Sequence, residues 1–66
     1  MMQITINQQV LQMNDGATLL DAIAMLQFQP PFAAAVNQQF IPQTRYAQTQ
    51  LQPNDNIDII APVTGG

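Results

Sequence analysis

Only one stretch of this 66-residue chain, "TLLDAIAMLQ" from Thr18, spaces its apolar residues for a helix. Leu19, Ile23 and Leu26 fall on one helical face, and Leu20 and Ala22 widen it. Thr18 is a good N-cap. Asp21, three residues on, completes a capping box and complements the positive end of the helix dipole. The spacing predicts an amphipathic helix of about ten residues. Pro30-Pro31 ends it, since neither proline donates a helical hydrogen bond and each disfavours helix in the residue before it.

Elsewhere the apolar residues follow the strand period. "MMQITINQQVLQM" sets Met2, Ile4 and Ile6 against Gln3, Thr5 and Asn7, turns through Asn7-Gln8-Gln9, and returns over Val10 to Met13 as the second strand of a hairpin. Asn14-Asp15-Gly16 is a strong turn signal, with Gly16 free to take positive φ. "FAAAVN" from Phe32 lies between a proline pair and a turn-forming Asn, which favours a strand over alanine's helical preference. "QFIP" adds a short strand ended by Pro42, and "QTRYAQTQLQ" reads as a loop with a helical turn. "PNDN" turns the chain into a last strand, "IDIIAPV", with Ile57 and Ile59 pointing one way and Asp58 and Ile60 the other.

With so little chain, the one helix must cover one face of one mixed sheet. The fold class is therefore α+β. The order strand, strand, helix, strand, short strand, strand is that of the β-grasp, or ubiquitin-like, architecture. Residues 1–62 are assigned to this domain and 63–66 to a flexible C-terminal tail.

Composition removes most chemistries. The chain has no Cys and no His, which excludes disulfides, thiol or Ser-His-Asp nucleophiles and most transition-metal sites. The missing cysteines suit a cytoplasmic setting. No apolar run approaches the roughly 18 residues of a membrane span, and the N-terminus lacks the pattern of a signal peptide. One Arg against four Asp gives a net charge of −3, so the chain cannot neutralise a run of phosphates and nucleic acid is not its partner. Asp15 and Asp55 sit in turns, Asp21 caps the helix, and Asp58 reads as a solvated residue near Arg45. The four Met read as core filling. No residue set for a metal or for catalysis emerges, and the chain is not read as an enzyme.

What remains is the end, "PVTGG". A free terminal carboxylate has a reference pKa of about 3.3 to 3.7 and is anionic at neutral pH. It can attack the α-phosphorus of ATP and become an activated acyl adenylate in another protein's active site. Gly65 and Gly66 lack a Cβ, so such a tail passes a narrow channel, and the five residues from Pro62 extend about 16 Å. On the residues alone, a frayed end is an equal reading.

The second half of the chain resembles the ThiS sulfur-carrier family. It carries Val36-Asn37, Ile41-Pro42, Tyr46-Ala47, Leu51, Asn54-Asp55, the alternating strand Ile57 to Ile60 and terminal Gly65-Gly66 in that family's order. Gln43 stands where members often have Arg, with Arg45 two positions later, and Asn54 replaces a turn glycine. The resemblance implies a carrier of sulfur for the thiazole moiety of thiamine. An E1-like adenylyltransferase, ThiF, would adenylate the Gly66 carboxylate with ATP and Mg²⁺ that belong to the enzyme, leaving no cofactor on this chain. Sulfur from a persulfide-forming desulfurase would make the thiocarboxylate, and thiazole synthase, ThiG, would receive it. Gly65 and Thr64 would give the tail clearance. The sheet face away from the helix would dock partners, with Ile60 and Phe40 as contacts. A small subunit of molybdopterin synthase, with the same chemistry, and a ubiquitin-like protein modifier or interaction module remain as alternatives.

Overall fold

The computed structural model describes residues 1–28 and 31–60. Strands β1 (Met2–Ile6) and β2 (Gln9–Met13) form the N-terminal hairpin, and helix α1 (Leu19–Leu26) follows. Strands β3 (Ala33–Val36) and β4 (Gln39–Ile41), a 3-10 helix (Gln43–Gln48) and strand β5 (Asn56–Ile60) complete the order. They make one mixed sheet in the order β2-β1-β5-β3-β4. The last strand in sequence is therefore the central strand in space, parallel to β1 and antiparallel to β3. This is the β-grasp arrangement expected from the sequence.

Both hairpins close through two residues in the left-handed region, Asn7 and Gln8 (φ 49° and 70°) and Asn37 and Gln38 (φ 52° and 69°). Positive φ at both positions matches the right-handed twist of the flanking strands. The first turn is thus one residue tighter than the sequence reading, and Gln9 already belongs to β2.

Helix α1 begins as its sequence predicts. Asp21 N–H donates to Thr18 Oγ1 at 3.3 Å and Thr18 N–H donates to Asp21 Oδ2 at 2.9 Å, a closed capping box. Its other end differs from expectation. Gln27 adopts a left-handed conformation (φ 56°, ψ 42°) and its N–H turns back to the Ala24 carbonyl, so the helix stops before the proline pair. Phe28 then packs beside Phe32, with ring centroids 6.2 Å apart, and Phe32 stacks on Tyr46 at 6.0 Å. Leu19, Ala22 and Ile23 are buried, whereas Leu20 is 45% exposed and lies off the core face.

Ile4, Ile6, Leu19 and Ile57 are the largest fully buried side chains, with Met2, Met13, Ala34, Leu51 and Ile59 around them. Tyr46, carried by the 3-10 helix, plugs the side of this core. The chain after it is stitched to the start of α1: Leu19 N–H donates to the Thr49 carbonyl and Leu51 N–H to that of Ala17.

Candidate functional site

The fold directs attention to β5, because it is the strand that precedes residues 61–66 in sequence and its inner and outer faces are sharply different. Ile57 and Ile59 point into the core, fully buried or nearly so, while Asn56, Asp58 and Ile60 point to the face without a helix. That alternation is the period of a strand with one face on the core.

On the outer face, Ile60 sits opposite Ala33 and Phe40 opposite Ala35. Phe40 and Ile60 are 65% and 63% exposed. They flank β3 from either side, two strand spacings across and two residues along, about 12 Å apart. The alanines between them are half-buried and small, so the two large side chains rim a shallow apolar floor. Asp58, opposite Ala35 and half-buried, adds one carboxylate to the patch. The sequence reading placed Ile60 and Phe40 on this face, and the structure brings them together across β3. Among the described residues no ion pair joins Asp58 to Arg45, which belongs to the 3-10 helix packed on α1. Thr64, Gly65, Gly66 and the boundary after residue 62 lie outside the described residues.

Three side chains that hold β5 in place were not singled out in the sequence. Asn37 Oδ1 accepts from the Asn56 N–H at 2.9 Å, and Asn37 Nδ2 donates to Asp55 Oδ1 at 2.9 Å. Asp55 is 9% exposed, a buried residue rather than a surface one, and its Oδ2 accepts from the Gln52 N–H at 2.8 Å. At the other end of β5, the Asn7 side chain pairs with both peptide groups of Ile59. In the sequence these asparagines signal only turns, because their partners lie 19 and 52 positions away.

Two open concavities, of about 470 and 510 Å³, lie elsewhere, around Asp15, Gly16 and the Met2 and Met13 ends of the hairpin strands. The β1–β5 register puts them at the end of the sheet opposite Ile60. Among the described residues, no group of three or more His, Cys, Asp or Glu side chains is placed to hold a metal ion. No helix of the described residues is long and apolar enough to cross a membrane.

A β-grasp domain whose central strand leads to a terminal Gly-Gly is the form shared by small carriers and modifiers activated at their C-terminus. The family model "ThiS family" matches residues 1–66, and the chain belongs to that family. It is 36% identical over 66 residues to the sulfur carrier protein ThiS of Escherichia coli (strain K12), covering 98% of this chain and 100% of that one. Among solved structures, it is similar to the thiamine biosynthesis protein (ThiS) of Geobacter metallireducens, with a TM-score of 0.81 over 98% of this chain and 100% of the other. At 13% identity, that likeness speaks for the fold alone.

Proposed function

We propose that this chain carries sulfur for thiamine biosynthesis on the carboxylate of Gly66, acting as a carrier and not as a catalyst. The observation that carries the reading is the family match over residues 1–66, which includes Gly65-Gly66. The name of the Escherichia coli relative supports the same role.

The chemistry follows from what a carboxylate lacks. Its carbon is a poor electrophile, so an E1-like adenylyltransferase of the ThiF type joins it to the α-phosphorus of ATP and releases pyrophosphate. ATP and Mg²⁺ are held by that enzyme. The terminal sulfur of a desulfurase persulfide then attacks the carbonyl carbon and expels AMP. A second thiol frees the thiocarboxylate by forming a disulfide with the donor. A thiazole synthase of the ThiG type takes the sulfur. All of these steps take place in the cytoplasm.

This chain contributes docking and delivery. The apolar floor between Phe40 and Ile60, with Asp58 beside it, suits a partner surface that offers apolar side chains and one cation. Gly65 and Thr64 keep the approach to the partner's active site narrow. Genetics tests the reading in the source organism. A strain without this gene requires added thiazole, the full chain removes the requirement, and a chain lacking Gly66 does not. Growth restored equally by the shortened chain contradicts the proposal.

A further inference from the structure

Asn7 holds the first position of the β1–β2 turn at φ 49°, a conformation asparagine tolerates better than most residues. Its side chain reaches away from its own hairpin. Oδ1 accepts from the Ile59 N–H at 2.9 Å and Nδ2 donates to the Ile59 carbonyl at 3.2 Å. An amide that both accepts from and donates to one residue's peptide groups does the work of a neighbouring strand.

The position needs such a substitute. Thr5 N–H donates to the Asp55 carbonyl and Asn7 N–H to that of Ile57, so the odd-numbered residues of this segment turn their peptide groups toward β1. Ile59 is the next in that series, but β1 has by then turned away into its hairpin. The Asn7 amide supplies the missing rung. On the opposite flank Ile60 meets Ala33, the first residue of β3. Without Asn7, the pairing of β5 on the β1 side would retreat from Ile59 to Ile57, and only β3 would steady the last residues before Ala61.

We infer that Asn7 is a positioning residue for the carrier terminus: it fixes the point and direction from which residues 61–66 are launched into a partner's active site. The inference rests on the carrier reading above. A loosened launch point adds residues whose freedom must be lost each time the terminus is seated. The docked complex then spends less time with the carboxylate in place. Asn37 is a matched control, since it occupies the same turn position at φ 52° and also crosses to β5, but at Asn56, the end remote from the tail.

The test uses the full chain with its cognate adenylating enzyme, ATP and sulfur donor. Asn7→Gly keeps the turn's positive φ and removes the amide; Asn7→Asp keeps the shape and the acceptor but loses the donor. Asn7→Gly is expected to speed amide exchange at Ile59 by about tenfold or more. It should also lower the rate of thiocarboxylate formation at saturating carrier by about three- to tenfold, with Asn7→Asp between it and the wild type. Asn37→Gly should lower thermal stability yet leave that saturated rate within about twofold of wild type. If Asn7→Gly does not fold, the saturated rate of Asn7→Asp decides, since its carboxylate still accepts from the Ile59 N–H. Unchanged exchange at Ile59 in Asn7→Gly, a saturated rate unchanged in the variant that folds, or an equal loss in Asn37→Gly overturns the inference. A wild-type chain that gains no sulfur overturns the carrier reading as well, so the two failures are distinguishable.

Discussion

Gln8 and Gln38 sit at φ 70° and 69°, where a side chain crowds the backbone and glycine does not. Replacing either by Gly should stabilise the domain by about 0.5–1 kcal/mol, the relief of left-handed strain outweighing the extra freedom of the unfolded chain. A higher urea midpoint checks this. Asp55 works in the opposite direction. Its carboxylate accepts from the Gln52 N–H and from Asn37 Nδ2 in a buried setting, so Asp55→Ala leaves two donors without their acceptor and should cost about 2–3 kcal/mol, read from the same urea titration. Turn character was legible at Gln8, Asn37 and Asp55 but not at Gln38, which has no turn-forming side chain. The burial of Asp55 was not, because it is created by Asn37 arriving from a turn 18 residues away.

Among the elements, the strands and the start of α1 were the most legible. Alternation located β1 and β5 because each buries one face, β2 was placed as the return strand after the turn, and Thr18 with Asp21 marked the helix start through a local hydrogen-bond pair. The helix end was less so: it depends on Gln27 turning left-handed so that Phe28 can reach Phe32. Leu20 read as core by its apolar character, but its direction is set by where the sheet lies. The 3-10 helix around Tyr46 has no periodic signal, and it forms because Tyr46 and Phe32 stack over the edge of the core. At this scale Ile57→Ala, in the fully buried face of the central strand, should cost about 3–4 kcal/mol, a large part of the stability of so small a domain, and show as a fall in melting temperature. Phe40→Ser and Ile60→Ser lie on the other face and should change stability by less than about 0.5–1 kcal/mol. Each should raise the KM for the carrier in adenylation by about five- to thirtyfold in steady-state kinetics, as loss of an apolar anchor does.

For the whole molecule, the β-grasp topology makes the last strand the central one, so the segment that leads to the terminus is paired on both flanks. The outer apolar patch lies on the same strand and its neighbours, so under the proposed function docking and delivery lie side by side. Element order and length made this architecture legible, since one helix and five short strands in 66 residues leave few ways to bury the isoleucines. The missing Cys and His left the terminus as the candidate chemical site, with a frayed end an equal reading, and its proposed task came from the resemblance to the ThiS family. The patch itself was less legible, since it depends on β3 setting two alanines between Phe40 and Ile60. Intact-mass spectrometry of the chain after incubation with its cognate adenylating enzyme, ATP and a sulfur donor tests the central claim most directly. The expected result is a mass gain equal to the exchange of one oxygen for sulfur, located on Gly66 by fragmentation and lost when Gly66 is deleted. An unchanged mass, the same gain in the shortened chain, or conjugates of this chain on other proteins in place of the gain would contradict it.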